Sequence, residues 1–513
     1  MLFSIYLPLI AVFMLILKPL YDYLRDPKLL RRFPNASLIS GFTNLWFVWE
    51  ASKGRRYLAL QGKHENSPYG RKPVLRIGPN HLSFVEPRAI KDIHGHGTVM
   101  EKAWHYDLIA ASHRHLADVV DRNEHKRKRK VLAAAFSQSS VETYDHILAE
   151  KTRAFVSQMD RRCCVKPVGL INPTPDSPTV DYRRWAILYT QEVIAALGFS
   201  EDLGFLRLGD DLTTAERPDG TLYQVHYRDA LEGGMHKDCV LIAFPEWYKF
   251  LVGWATTFLP RYRRYAIRSQ GFSDICRHLT RKRVRRDEQG EKLHDFFNAL
   301  LYTRGGGRNN YPFGELLAEA NVILNAGSDS TGIAMTNTIY SLIQNPRALT
   351  ELRHELDGAL DEDDVVAPYE KLKHLRYLRA VLDESMRMNA PSQFSLPRKT
   401  PPGGASIAGH WIEGDVGVST ATHAIHMDPN IWGDPSVFRP ERWLDEAGKE
   451  LQQFFLVFTT GPRGCIGRNV TYLEQYVMLA SFVHRTRLCA DKIRDRGHDY
   501  RSTAIADLEK GAT

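Results

Sequence analysis

Apolar residues recur every three to four positions in several segments, and this period predicts a mainly helical chain. The longest helical segment is 312–344, which begins at Pro312 and ends before Asn345. Two short strands, at 74–77 and 81–85, flank a Gly-Pro-Asn turn, which predicts a hairpin in a small β-region. Other helical segments are predicted at 89–94, 121–136, 181–197, 261–286, 369–389 and 468–482.

Three segments carry other patterns. Residues 95–116 show no clear period and are predicted to be mostly loop. Residues 201–234 are polar and rich in glycine, so we expect a mobile segment there. Residues 244–258 are rich in aromatic side chains, which fits a pocket cover, a membrane contact or an ordinary buried helix.

The first residues of the chain are apolar. Residues 2–17 form a run that is short for a spanning helix, so a signal peptide is an alternative. No small-residue cleavage site follows, and several basic residues do. Basic residues after an apolar run favour an anchor whose following domain stays in the cytoplasm. We therefore predict a membrane anchor at 1–20 and a basic, proline-containing hinge at 21–40.

Composition narrows the class of protein. The chain has 513 residues, 43% of them hydrophobic and 25% charged, which is typical of a large globular domain. The net charge of +8 fits an acidic partner or an anionic membrane surface. Nucleic acid fits less well, because the basic residues lack accompanying aromatic stacking motifs. The six cysteines show no metal-ligand spacing, and a reducing compartment suits them best.

One cysteine, Cys465, stands in a distinctive segment, 458–467. Glycines on both sides allow the backbone to wrap closely around the sulfur, and a helix predicted from residue 468 should lower the thiol pKa. Arg463 offers a cation for a carboxylate, and Phe458 offers an apolar plate. These are the needs of a haem iron with one thiolate ligand. The alternative is a buried structural cysteine beside a glycine-rich turn.

The centre of the longest predicted helix has an unusual composition. Residues 326–331 read Ala-Gly-Ser-Asp-Ser-Thr, and glycine, serine and aspartate are poor residues for a helix interior. One interpretation is a groove where a ligand crosses the helix, with Asp329 passing protons and Ser330 or Thr331 holding a water. The other is close packing of the helix against a neighbour through small residues.

Charged residues suggest two further sites. His125 and Arg129 share one face of a dense basic helix, where they could hold a pair of carboxylates, with the other cations pointing outward. A solvated helix face or a localisation signal would explain the same run. Glu384 and Arg387 lie one helical turn apart, and Arg442 could complete a buried triad with them.

Together these motifs resemble the cytochrome P450 family of haem-thiolate monooxygenases. The segment 458–467 is similar to the family's haem loop, and 326–331 is similar to its oxygen-binding helix. Glu384-x-x-Arg387 with 440–443 is similar to its conserved triad segments. Shorter stretches are similar to fungal microsomal members related to benzoate para-hydroxylase, namely 54–58, 76–81, 396–398, 402–404 and 431–433.

The resemblance implies a mainly α fold with a small β-region, the cytochrome P450 fold, preceded by a transmembrane helix. It implies heme b with Cys465 as the axial iron ligand. Asp329 with Ser330 or Thr331 would deliver protons. The triad would hold the core beneath the haem. The residues implied to contact the haem are Cys465, Arg463, Phe458, His125, Arg129 and Arg398.

The implied reaction inserts one oxygen atom of O2 into a small aromatic or apolar metabolite, in fungal secondary metabolism or aromatic-acid catabolism. Electrons from NADPH would arrive through NADPH–cytochrome P450 reductase, docked on a basic face. The haem domain, 41–484, would face the cytoplasm from a single-pass anchor in the endoplasmic reticulum membrane. The substrate pocket is expected at 104–107, before residue 326 and at 393–396.

Two departures from the family pattern leave alternatives open. Ser330 stands where the family has threonine, although Thr331 follows. The tail, 485–513, is rich in charge and lacks the apolar alternation of the expected hairpin. A reductase-independent isomerase or peroxygenase, or a catalytically impaired haem protein, therefore remains as an alternative.

Overall fold

The computed structural model describes residues 17–65, 71–163, 180–393 and 396–485. Helices dominate, and the period of the apolar residues determines where they form. Numbered in chain order, they are α1 (Lys18–Arg25), α2 (Leu45–Ser52), α3 (Arg56–Glu65), α4 (Pro87–His94), α5 (His105–Ile109), α6 (Arg122–Leu132), α7 (Gln138–Glu142), α8 (Asp145–Cys163), α9 (Tyr182–Phe199), α10 (Phe205–Leu208), α11 (Tyr227–Leu241), α12 (Tyr248–Phe258), α13 (Pro260–Glu288), α14 (Asn298–Leu301), α15 (Phe313–Gln344), α16 (Pro346–Asp357), α17 (Tyr369–Leu372), α18 (Arg376–Met388), α19 (Thr422–His426), α20 (Pro429–Trp432), α21 (Glu446–Leu451) and α22 (Arg468–Arg485).

Three small sheets accompany the helices. The strands are β1 (Val74–Gly78), β2 (His81–Phe84), β3 (Glu101–Lys102), β4 (Leu212–Glu216), β5 (Leu222–His226), β6 (Arg398–Lys399), β7 (Ala405–Ile407), β8 (His410–Ile412) and β9 (Gly417–Thr420). The largest sheet has the order β1-β2-β9-β6-β3, and β4-β5 and β7-β8 are separate pairs. The predicted hairpin is confirmed, because β1 and β2 pair antiparallel with Val74 opposite Phe84.

The longest helix, α15, runs through the largest core cluster. It is continuous across 326–331, and α9 packs along it. A β-carbon on Gly327 would lie 2.4 Å from Ile194, so only glycine fits at this contact. Gly327 therefore serves packing between helices, which is the second of the two interpretations of this motif.

The expectation of a mobile segment at 201–234 is wrong. Strands β4 and β5 form a regular hairpin that packs on α13, and Ala215 is fully buried. Gly204, Gly209 and Gly220 all have positive φ, so these glycines serve tight turns and helix ends. The predicted loop at 95–116 also contains regular structure, namely β3 and α5.

The predicted anchor and the predicted tail lie at the two ends of the chain, where the structure describes few residues. The predicted anchor lies mostly outside the described residues, and α1 crosses its boundary with the predicted hinge. Within the described residues, no helix combines the length and apolar content that crossing a bilayer requires. Beyond Arg485 the predicted charged tail also lies outside the described residues.

Candidate functional site

The cysteine loop is held by its own backbone and by a neighbouring helix end. The amide of Cys465 donates to the carbonyl oxygen of Phe458 at 2.9 Å, and a short 3-10 turn, Gly461–Arg463, comes just before it. Gly461 has φ 72°, and a β-carbon there would lie 2.0 Å from the carbonyl oxygen of His94. A side chain at residue 461 would therefore push the loop away from the end of α4.

Cys465 is exposed as a residue, although protein surrounds its thiol group closely. The amides of Gly467 and Arg468 and the Arg129 guanidinium lower the thiol pKa, as the position before a helix predicts. Removal from water is the larger effect, and it raises the pKa of Cys465 above its ordinary value. The two amides and the arginine therefore act in the direction that the sequence predicts, and burial acts against them.

Phe458 lies in the core beside the cysteine loop. Its ring is 5.4 Å from that of Tyr472 and 6.3 Å from that of Phe455, measured between centroids. The guanidinium of Arg468 lies over it at 5.6 Å. These contacts anchor the start of the cysteine loop, and they make the Phe458 ring an apolar support within the core.

Cationic side chains from four parts of the chain gather near this loop. Arg463 donates to the carbonyl oxygens of Val119 and Val120 at 2.6 and 2.7 Å, and Arg129 donates to Gly464 at 2.7 Å. His125 is buried on α6. Arg398 is buried on β6, and its Nη1 has no hydrogen-bond partner. The sheet register places Lys102 of β3 opposite Arg398.

The charged forms of these basic side chains repel one another. Burial and the neighbouring arginines lower the pKa of Lys102 to about 6, and of Arg463 to about 10. Burial and four nearby cations lower the pKa of His125 to about 3. Such a cluster is stabilised by an anion. The two carboxylates of a haem, with the iron at Cys465, fit both the charge and the orphaned Arg398 nitrogen.

Sequence reasoning missed Lys102, which lies in a segment predicted to be loop. Its ammonium is buried, donates to the carbonyl oxygen of Ala117 and lies 4.8 Å from the Tyr106 ring. Local sequence gives no signal for this residue. The signal is the pairing of β3 with β6, which brings Lys102 beside Arg398.

Replacing Lys102 by methionine is expected to weaken haem retention by about 10-fold or more, because one charge-assisted hydrogen bond is lost. The measurement is the rate of haem transfer to excess haem-free globin. Lys126→Met is the matched control, since Lys126 is exposed on α6. Equal rates for the two variants would contradict a role for Lys102 in haem binding.

The remaining cations of α6 do not all point outward. Lys126 and Lys130 are exposed, as expected. Lys128 is buried, and its ammonium lies 2.9 Å from Glu319 and 2.8 Å from Glu315 on α15. The expectation is wrong for Lys128 because it lies one turn from His125, on the face of α6 that packs inward.

Glu384, Arg387 and Arg442 meet in a buried cluster. The Glu384 carboxylate accepts two hydrogen bonds of 2.9 Å from Arg387, one of 3.0 Å from Arg442 and one of 3.0 Å from the Trp443 indole. Arg387 also donates to the carbonyl oxygen of His426, at 2.6 Å. The cluster ties α18 to the segment that precedes the cysteine loop.

The residues of 326–331 face different directions on α15. Ala326 and Ser330 are exposed, and the Ser330 hydroxyl donates to the Ala326 carbonyl oxygen at 2.7 Å. Thr331 is buried, and its hydroxyl lies 3.2 Å from that of Thr471 on α22. The buried face therefore shows the close packing of the second interpretation, whereas the ligand groove on the exposed face stays a prediction.

Asp329 lies between these two faces. One of its carboxylate oxygens is buried without a hydrogen-bond partner. Burial, with a smaller contribution from Glu232, raises the pKa of Asp329 to about 6, against the effects of Arg228 and Arg183. The carboxyl group therefore exchanges its proton near neutral pH.

Comparisons with known proteins identify the family of this chain. A family model described as Cytochrome P450 matches residues 39–506. The chain is 30% identical over 488 residues to the benzoate 4-monooxygenase bphA of Aspergillus niger. This alignment covers 93% of this chain and 91% of that protein. The chain is 30% identical over 439 residues to the trichothecene C-15 hydroxylase of Fusarium sporotrichioides, covering 84% and 80%. It is 27% identical over 495 residues to a cytochrome P450 monooxygenase of Aspergillus terreus, covering 93% of each.

The family match covers far more than half of the chain and includes the cysteine loop, the triad and α15. Members of this family bind haem through a cysteine thiolate and take electrons from a reductase partner. The chain belongs to the cytochrome P450 family and is a haem-thiolate monooxygenase.

Proposed function

We propose that the protein inserts one oxygen atom of O2 into a small aromatic or apolar metabolite. The observation that carries this proposal is the exposed pair Ala326 and Ser330 at the centre of the long helix α15, where small side chains leave room for a ligand. The benzoate 4-monooxygenase among the relatives supports a small aromatic substrate.

The proposed substrate class is tested by titration of the purified haem protein. Benzoate-sized aromatic compounds should shift the haem absorbance toward the high-spin form, and NADPH with reductase should then give a hydroxylated product. Large polar compounds serve as the control. Shifts and products obtained with the large compounds alone would sink the proposed substrate class.

In this proposal Cys465 would bind the iron. The two haem carboxylates would be held by Lys102, His125, Arg129, Arg398 and Arg463. When bound, the haem supplies the iron at which O2 is activated. The buried triad of Glu384, Arg387 and Arg442 keeps the supporting structure rigid beneath it. NADPH supplies the electrons through its reductase, which we place against exposed Lys126 and Lys130 on α6.

For proton delivery we propose Asp329 and Ser330, and we leave out Thr331. The Ser330 hydroxyl is on the accessible face of α15, whereas the Thr331 hydroxyl is buried against Thr471. Asp329, with a raised pKa, can pick up a proton from solvent and pass it on. Ser330 keeps the hydroxyl of the family's threonine, so it can orient a water.

Asp329→Asn is expected to slow turnover by about 10²-fold, because the proton donor is lost, and the reduced carbon monoxide spectrum should stay intact. Asp329 has a pKa of about 6, so its protonated form declines as the pH rises above 6, and wild-type turnover should fall with it. The Asn variant should lack this decline. Full-rate turnover by Asp329→Asn would refute the relay.

Ser330 and Thr331 are distinguished by a pair of variants. Ser330→Ala should release more hydrogen peroxide per NADPH, whereas Thr331→Val should behave like the wild type, since its hydroxyl faces α22. The measurement is the ratio of product to NADPH consumed. A peroxide increase in Thr331→Val alone would assign the role to Thr331.

We also propose attachment to the endoplasmic reticulum membrane, through residues 1–20 and through α12. Phe250, Trp254 and Phe258 are exposed by 64%, 47% and 66%, and their spacing of four forms one apolar stripe. An exposed aromatic stripe beside basic residues fits an anionic bilayer surface. The interpretation of 244–258 as an ordinary buried helix therefore does not hold for these three residues.

Attachment through α12 is tested with protein that lacks residues 1–20. This protein should still float with phosphatidylserine vesicles, and Phe250→Ser with Phe258→Ser should abolish the binding. Trp411→Ser is the control, because Trp411 is an exposed aromatic residue on β8. A similar loss of binding in the control would contradict a specific contact through α12.

A further inference from the structure

Two buried hydroxyl groups from other helices bond to α15 immediately before Asp329. The first is that of Thr190 on α9. It lies 2.6 Å from the carbonyl oxygen of Ser328 and 3.1 Å from that of Ile187 in its own helix. A threonine within a helix commonly bonds back to its own backbone. Here the shorter bond crosses to α15, so Thr190 fixes the backbone at Ser328.

The second hydroxyl is that of Tyr227, the first residue of α11. It lies 3.1 Å from the Ser328 hydroxyl and 3.3 Å from the carbonyl oxygen of Leu324. The Ser328 hydroxyl donates to the same Leu324 oxygen at 2.6 Å, which leaves its oxygen free to accept from Tyr227. Phe205 and Phe272 hold the tyrosine ring edge-on, at 5.9 and 5.6 Å.

Close packing prevents α15 from shifting along or around its axis at this place. A β-carbon on Gly327 would meet Ile194 at 2.4 Å, and one on Gly332 would meet the Thr190 hydroxyl at 3.0 Å. Thr190, Tyr227 and Ser328 are all fully buried, so water does not compete for these bonds. The segment around Ser328 is thus held through the buried face of α15, which lies opposite to the exposed Ala326 and Ser330.

We propose that Thr190 and Tyr227 are positioning residues for the monooxygenase reaction. Their hydroxyl groups fix the position of Ser328. Through Ser328 they fix the direction in which the side chains of Asp329 and Ser330 project from α15. Neither hydroxyl touches the substrate or the haem in this proposal. It rests on the proposed relay of Asp329 and Ser330, because the positioning has no consequence for turnover without that relay.

The variants Thr190→Val and Tyr227→Phe remove each hydroxyl with little change in shape. Thr190→Ser restores the hydroxyl and serves as the rescue. Thr338→Val is the matched control. Thr338 is buried on α15, the helix that carries Asp329, and its hydroxyl lies 3.0 Å from that of Ser385, away from Asp329. All four proteins should fold and keep the reduced carbon monoxide spectrum of the wild type.

Two readouts test the proposal. In the resting haem protein, amide hydrogen exchange over residues 328–332 should be roughly five-fold faster in Thr190→Val and Tyr227→Phe than in Thr338→Val. With reductase and substrate, the share of NADPH that ends as hydrogen peroxide should rise in the same two variants. Thr190→Ser should return both values toward the wild type.

The outcomes separate this inference from the proposed relay. If Asp329→Asn slows turnover while Thr190→Val and Tyr227→Phe match Thr338→Val in both readouts, the positioning role is overturned. If Asp329→Asn turns over at the full wild-type rate, the relay is wrong, and the positioning role falls with it even where exchange is faster. Faster exchange together with uncoupling in both variants, and rescue by Thr190→Ser, supports the proposal.

Discussion

Cys465→His is expected to abolish the absorbance band that reduced thiolate-ligated haem shows with carbon monoxide, and to abolish product formation. The thiolate pushes electron density to the iron and favours O–O cleavage, and an imidazole supplies much less. The cation cluster that holds the haem carboxylates is untouched by the change. Haem should therefore remain bound while the band and the turnover are lost.

The control for this variant is Cys239→Ser. Cys239 is a free, partly buried cysteine on α11, outside the haem loop. It should keep both the band and the activity. Retention of the thiolate band by Cys465→His would show that another residue ligates the iron, and the assignment of the whole loop would then fail.

Glu384→Ala is expected to have the largest effect on stability. The substitution leaves two buried guanidinium groups without their shared carboxylate, since Arg387 and Arg442 both donate to Glu384. Breaking a buried ion pair of this kind lowers the free energy of unfolding by about 3–5 kcal/mol. Because the cluster supports the segment before the cysteine loop, haem should be lost as well.

A surface pair beside the triad gives the comparison. Arg347 is exposed and donates to the carboxylate of Glu441 at 2.6 Å. Glu441 directly precedes Arg442 in the chain. Arg347→Ala should lower the free energy of unfolding by about 1 kcal/mol or less. Chemical denaturation, followed by haem absorbance and by circular dichroism, measures both variants. If Glu384→Ala were no worse than Arg347→Ala, the triad would not be a structural lock.

Much of the site could be predicted because its residues occur in short motifs with fixed local spacing. The segment 458–467 contains the ligand, its flanking glycines and Arg463, and Glu384 and Arg387 lie one turn apart on the same helix. Helix period likewise predicted α6, α9, α13, α15 and α22 close to their observed bounds. In each case the physical cause acts within one or two helical turns.

The errors arose where distant segments decide the outcome. Residues 201–234 were predicted to be mobile because glycines and polar residues dominate. In the structure Gly204 and Gly209 flank a short helix, and Gly220 lies in the turn of a hairpin that packs on α13. Lys102 was missed because its role depends on pairing between β3 and β6, which are far apart in the chain. Burial, which also depends on distant segments, raises the pKa of Cys465 against the effect of the following helix.

The sequence by itself determined the family and the members of the triad, and it predicts the iron ligand, because ligation and ion pairing need particular residue types at fixed local spacing. Only the tertiary structure decided which side chains of 326–331 are exposed and which are buried. Gly327 and Thr331 pack against Ile194 and Thr471, and Ser330 remains accessible. The reason is that the rotation of α15 about its axis is set by its neighbours, through close packing and the hydroxyl groups of Thr190 and Tyr227.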